Sequence, residues 1–164
     1  MVSKTGVILT KDNLAKRRWK GSLLCRFCNS KESIQHLFLD CVFARYIWTT
    51  VFFTFGIRQP WNTTHLFGNW LYDVEPKLKR QMWVGIAAIC WALWLTRNDM
   101  VFNGHNHISF LQVIFRETHW ARLWSLLLKK DEGDKVQAKC SFREKRVMEF
   151  FSTFSWNFRR RIEA

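Results

Sequence analysis

Apolar residues along this chain recur mainly at spacings of three and four, which is the periodicity of helices packed on one face. Thr10 can cap a short helix running from Lys11 to Arg18, and Trp19-Lys20-Gly21-Ser22 ends it. Asp40 is positioned to cap a second helix through Cys41, Ala44, Ile47, Trp48 and Val51 to Phe55, with Gly56 supplying a left-handed exit. Gln59-Pro60 breaks the pattern, so 57–76 reads as loop with at most a short turn. Pro76 then opens a long helix over 77–102, where its missing N–H costs little. Asn103-Gly104-His105-Asn106 is turn chemistry, and Ser109 caps a helix over 110–130 carrying Phe110, Val113, Ile114, Trp120, Trp124, Leu127 and Leu128. The charged stretch around Asp131-Glu132-Gly133-Asp134 predicts a linker over 131–140, followed by a last helix from 141 to about 154 and a basic tail. The predicted segments are therefore 1–9 as an extension, 10–56 around the cysteines, 57–76 as loop, 77–130 as a helical region, 131–140 as linker and 141–164 as helix and tail.

The longest apolar run, Met82 to Leu95, has fourteen residues between Arg80 and Arg97. A membrane span needs about 20, so this run reads as a buried helix and no span is expected. The chain has 164 residues, 48% hydrophobic and 16% aromatic, enough to bury a core and far from a disordered basic tail. After Met1 the first apolar run is only Val7-Ile8-Leu9, too short for an export signal, which points to an intracellular setting.

The chemistry concentrates between residues 25 and 41. Cys25-Arg26-Phe27-Cys28, then seven residues, His36, then four, then Cys41 gives C-x2-C-x7-H-x4-C. A Cys-x-x-Cys turn lets two thiolates grip one ion, and His36 and Cys41 lie little more than one helical turn apart. Three thiolates and an imidazole suit one tetrahedral Zn2+ with no open position, hence a structural metal held by Cys25, Cys28, His36 and Cys41. A redox pair is the alternative, but it belongs at a helix start in a βαβ context that this stretch lacks. Cys90 and Cys140 stand apart, and Cys90 reads as a buried thiol behaving as a small hydrophobe. The expected fold class is mainly α: a small CCHC zinc knuckle with a short hairpin, followed by a helical region.

Charge sharpens this picture. The formal net charge is +13. Residues 1–31 contribute +7 and 135–164 contribute +5, while the middle is nearly neutral. Lys16, Arg17, Arg18, Lys20, Arg26 and Lys31 stand beside Trp19 and Phe27, a combination suited to phosphate contact and base stacking, with packing of the two rings over the knuckle as the alternative. Lys16-Arg-Arg-Trp-Lys20, helped by Arg159-Arg160-Arg161, also fits a nuclear-import cluster, so a nuclear location is expected, with a cytoplasmic one as the alternative. His65, His105, His107 and His119 are scattered without a paired carboxylate or nucleophile, and no phosphate-cradling glycine loop occurs. No enzymatic activity is expected.

Ile8 to Arg18, Cys25-x-x-Cys28, Glu32-Ser-Ile-Gln-His36-Leu-Phe-Leu-Asp-Cys41 and Phe43-Ala-Arg-Tyr-Ile-Trp48 together resemble the zinc-binding domain that follows reverse transcriptase in plant LINE-type, non-LTR retrotransposons. Ala92 to Asn103 and the ending with Phe150, Phe151, Trp156 and Arg161-Ile162 resemble the helical region after that domain. The chain begins nine residues ahead of Thr10 and so looks like an abbreviated form; it holds no Tyr/Phe-x-Asp-Asp polymerase motif. The resemblance implies a retroelement-derived, non-catalytic zinc protein associated with nucleic acid, RNA or DNA. The competing expectations are a protein-interaction module using exposed aromatic surface, with Phe52, Phe53, Trp61 and Trp70 as candidates, or a remnant without a selected role.

Overall fold

The computed structural model describes residues 8–103 and 108–153. Gly104, His105 and His107, the extension before Ile8, and Phe154, Trp156 and Arg159-Arg160-Arg161 of the tail lie outside the described residues. Among the described residues six α-helices form: α1 (Lys11–Lys16), α2 (Val42–Phe55), α3 (Thr63–Phe67), α4 (Pro76–Phe102), α5 (Phe110–Ser125) and α6 (Lys130–Thr153), with a π-helical turn at His36–Asp40 before α2. Among the described residues the sheet content is one antiparallel bridge, Leu24 with Lys31, which is the short hairpin expected around the cysteines. No helix among these residues is long and apolar enough to cross a membrane.

The local signals explain most boundaries. Gly56 leaves α2 at φ 69, and its N–H donates to Phe52 O at 2.8 Å. Pro76 occupies the first turn of α4, and the Glu75 carboxylate accepts from Leu78 N at 3.0 Å. Ser109 and Gln112 form a reciprocal capping box on α5. The cap expected from Asp40 is absent: Cys41 is the cap residue of α2, and Asp40 accepts from Gln35 Nε2 at 3.0 Å instead. Thr10 precedes α1 as expected, yet the first helical N–H, Lys11 N, donates to Glu32 Oε1 at 2.9 Å, so the capping carboxylate comes from 21 residues downstream.

Three boundaries differ from expectation. The loop 57–76 contains α3, capped by Asn62 Oδ1 accepting from His65 N at 2.7 Å. Helix α5 ends at Ser125 rather than 130, which leaves Leu127 exposed in the turn that follows. The expected linker 131–140 is helical, because α6 starts at Lys130. Long-range contacts fix that start. Glu132 is buried and receives Arg80 through Nη2 at 2.6 Å and Nε at 3.0 Å. Gly133 lies so close to the end of α5 that a Cβ would sit 2.8 Å from Ser125 O.

The core joins the cysteine region to the helices. Phe27 stacks on Phe43 of α2 at 4.6 Å, and Phe43 stacks on Phe110 of α5 at 4.7 Å. Trp48 is buried, and its indole N–H donates to Phe38 O at 2.8 Å. Along α4 the buried stripe is Gln81, Ile86, Ala88, Ile89, Ala92, Leu93, Thr96 and Arg97, so the long apolar run is a core helix as its length implied.

Candidate metal centre

The Cys25–Cys28 turn is built by backbone geometry before any metal is considered. Cys25 N donates to Ser30 O at 2.7 Å, Asn29 N returns to Cys25 O at 3.0 Å, and Glu32 N reaches Leu23 O at 3.0 Å, closing the hairpin. Asn29 takes the left-handed conformation, φ 57, which asparagine tolerates better than most side chains. The tight turn aims Phe27 N at Cys25 Sγ, 3.4 Å away, an N–H that favours the thiolate.

His36 and Cys41 arrive through the π-helical turn. In a regular α-helix five residues advance about 500°, which leaves the two side chains roughly 140° apart. The wider turn, closed by Cys41 N donating to His36 O at 2.8 Å, brings them toward one side, and such turns recur at functional sites. Ser33 Oγ accepts from His36 N at 3.1 Å and fixes where the turn begins.

The ligand atoms of Cys25, Cys28, His36 and Cys41 all lie within 4.8 Å of one another. Cys25 Sγ is 3.8 Å from Cys41 Sγ, Cys41 Sγ is 3.8 Å from Cys28 Sγ, and Cys28 Sγ is 3.2 Å from His36 Nε2. A tetrahedron with metal–sulfur bonds of about 2.3 Å has sulfur–sulfur edges of ~3.8 Å, the separation found at both pairs. The donor set therefore fits one ion with no position left open. Hydrogen bonding from Cys41, aided by His36 and the Phe27 N–H against the cost of burial, lowers Cys25 to about 4. The hydrogen bond to Cys25 and then burial push Cys41 far up, while the Cys25 thiolate raises His36.

Sequence reasoning missed the residue that anchors this centre to the rest of the protein. Glu32 sits between Cys28 and His36 and is fully buried, as is its partner Arg97 on α4 (0% exposure for both side chains). Arg97 Nη2 meets Glu32 Oε1 at 2.7 Å and Nε meets it at 3.1 Å, while Nη1 donates to Asn98 Oδ1 at 2.9 Å. The Arg97 guanidinium also lies 5.3 Å from the Trp94 ring and 5.4 Å from that of Phe102. The signal available was the Thr96-Arg97-Asn98-Asp99 polar break after an apolar run, but nothing local ties it to a glutamate 65 residues earlier.

The other cysteines stay out of the centre: burial pushes Cys90 up to about 12 and Cys140 up to about 11, as suits thiols that serve as hydrophobes. Lys16, Arg17, Arg18, Lys20, Arg26 and Lys31 are all exposed around the hairpin and the end of α1. Phe27 takes the packing alternative: it is buried on Phe43 and unavailable to a base. Trp19 is half-buried over Gly21. Of the four aromatic residues expected at an interaction surface, Phe52, Phe53 and Trp61 are exposed, whereas Trp70 packs edge-on against Trp48 at 5.7 Å.

A hairpin knuckle carrying a Cys3His donor set that could hold one metal ion is thus stitched to a helical body. Residues 2–48 match the family model described as zinc-binding in reverse transcriptase. The match covers the cysteine region as far as the first half of α2, and the helices from α3 onward lie beyond it. Neither a curated protein nor a solved structure matches the chain significantly.

Proposed function

We propose that the protein is a non-catalytic, retroelement-derived zinc protein that binds single-stranded nucleic acid through the basic face of its knuckle. The observation that carries this reading is the convergence of Cys25, Cys28, His36 and Cys41 within 4.8 Å, at tetrahedral edge lengths, inside a segment that matches a zinc-binding domain. One Zn2+ at this point carries three thiolates and gives the site a charge of about −1, so it organises the fold rather than attracting phosphate. The attraction comes from Lys16, Arg17, Arg18, Lys20, Arg26 and Lys31, which the knuckle and α1 hold exposed on short backbone segments. With Phe27 in the core, Trp19 is the aromatic group left near these cations, so phosphate contact outweighs stacking in the interaction. The same cations are consistent with residence in the nucleus.

The test couples metal content to binding. Purified full-length protein is expected to carry one zinc per chain and to bind single-stranded RNA or DNA, with affinity falling steeply between about 50 and 200 mM salt. Replacing Lys16, Arg17, Arg18 and Lys20 together with alanine is expected to abolish binding while leaving the zinc in place. Salt-insensitive binding, or none, refutes the nucleic-acid reading. A salt-resistant oligomer in its place favours protein docking, for which Phe53 at 68% exposure and Trp61 at 71% are the surface evidence.

A further inference from the structure

Helix α1 closes on a residue that its geometry disfavours. Trp19 N donates to Leu14 O at 3.1 Å and Arg18 N donates to Ala15 O at 2.9 Å, the paired bonds that end a helix through a left-handed residue. That residue is Arg18, at φ 66. Glycine is the usual occupant of such a position, as at Gly56 after α2, because a side chain there crowds the backbone. Arginine here costs local stability, and its exposed side chain enters no ion pair among the described residues that would offset the cost.

The ring that follows is held just as definitely. A Cβ added at Gly21 would fall 1.9, 2.1 and 2.5 Å from three consecutive atoms of the Trp19 benzo ring. Distances that short to three neighbouring ring atoms occur only above the ring plane, so the Gly21 backbone covers one face of the indole. Only glycine permits that approach. The ring is nevertheless half-buried and, among the described residues, packs into neither apolar cluster, whereas Phe27 is stacked on Phe43 inside the core. Trp19 is therefore a large ring fixed in place without supplying core volume.

Arg17, Arg18 and Lys20 flank the ring in sequence, all exposed and none in an ion pair among the described residues. Arg80, Arg97, Arg116, Arg122 and Arg143, by contrast, each meet a carboxylate at 2.6 or 2.7 Å. The one acidic residue in 1–31, Asp12, is engaged at the start of α1 by Thr10 Oγ1 at 2.5 Å and by Asn13 N at 2.8 Å. A flat ring between unpaired cations has the form of a site for one nucleotide, with the base on the ring and the phosphates on the cations. We infer that Trp19 receives one unpaired base on the indole face away from Gly21, with Arg18 and Lys20 holding the adjoining phosphates. The inference rests on the nucleic-acid reading above and adds a base-dependent contact at one nucleotide, the rest of the strand being held by its phosphates. A base already paired in a duplex offers no free face to the ring, so the site selects single strands.

The probes are an oligothymidylate and an abasic deoxyribose-phosphate oligomer of the same length, each labelled and titrated with the zinc-loaded full chain by fluorescence anisotropy. The wild type is expected to bind the oligothymidylate about ten-fold more tightly, the effect of a single stacked base. Trp19→Ala is expected to erase that difference while changing the abasic oligomer by less than about two-fold, and Trp19→Phe to keep part of it. Gly21→Ala, which drives a Cβ into the ring, is expected to reduce the difference with zinc content unchanged. Arg18→Gly is expected to act in opposite directions, raising the unfolding midpoint by about 2–4 °C while weakening both oligomers; a residue that only closed the helix would gain stability and lose no affinity. Equal affinity for the two oligomers in the wild type, or a difference that survives Trp19→Ala, overturns the inference and leaves the phosphate-binding reading standing. Failure of both oligomers to bind overturns the two together. If Trp19→Ala does not fold, a wild-type difference retained in full by Gly21→Ala overturns the inference in its place.

Discussion

Glu32–Arg97 and Glu117–Arg143 are the same chemical pair, each buried, each joining elements distant in sequence, and each with its shortest contact at 2.7 Å. They differ in what remains after pairing. Around Arg97 all three guanidinium nitrogens donate, two rings cover the cation, and Glu32 also caps α1 through Lys11 N. Around Arg143 only Nη2 is engaged, and Nε and Nη1 are buried without a hydrogen-bond partner. A saturated buried pair is a fastener, whereas an unsaturated one carries the cost of donors buried unpaired. Burial and distance alone do not separate the two; the count of unused donors does.

The largest expected effect breaks the first region at its metal. Structural zinc contributes about 10–16 kcal/mol apparent at neutral pH, so chelation or Cys25→Ser is expected to unfold residues 20–56, read as loss of zinc and of part of the helical circular dichroism. One equivalent of zinc retained in a Cys25/Cys28/His36/Cys41 quadruple variant contradicts the ligand assignment. Next comes Arg97→Met, which strands Glu32 and is expected to cost about 3–5 kcal/mol in denaturant unfolding. Because Glu32 lies between Cys28 and His36, the variant should also lose zinc to a competing chelator faster than the wild type does.

Arg143→Met is expected to cost less, about 1–3 kcal/mol, since it removes unpaired donors together with the paired one. The double variant Glu117→Gln/Arg143→Met should recover most of that loss; if both pairs respond alike, the contrast between them fails. The same region has a pH signature. Burial raises Glu117 above its ordinary 4.5, Arg143 opposes the rise and Glu144 adds to it. The folded protein then binds that proton more tightly than the unfolded chain, so its stabilisation is present at low pH. It is lost as pH climbs from 4.5 through the raised folded value. Glu117→Gln should flatten that part of the stability profile, measured by thermal unfolding across pH. The smallest effect is Gly85→Ala, expected to stabilise by about 0.5–1 kcal/mol because the helix gains a better former and the new methyl has room.

What the sequence made legible follows from range. The clustering of Cys25, Cys28, His36 and Cys41, the Gly56 exit of α2, Pro76 at the start of α4 and the Ser109 cap all follow from residues close in sequence, and each was readable. The start of α6 was not. A charged stretch containing glycine reads as linker, and only the arrival of Arg80 at Glu132 and the approach of Ser125 O to Gly133 make it helix. The packing of Trp70, read as a surface ring, is tertiary in the same way, through Trp48, and Phe43 decides between the two readings of Phe27. Neither buried ion pair was foreseen, because charge gives no indication of its partner across 65 or 26 residues.

The π-helical turn from His36 to Asp40 makes chain length matter more than side-chain identity in one short stretch. Its interior residues Leu37, Phe38 and Leu39 answer only to volume and tolerate exchange among apolar side chains of similar size. A one-residue deletion there keeps every ligand type but restores an ordinary helical pitch, moving Cys41 by about 100° relative to His36. The candidate metal centre therefore depends on the length of this turn as much as on the four residues that meet there: a single lost codon separates them even when each is kept.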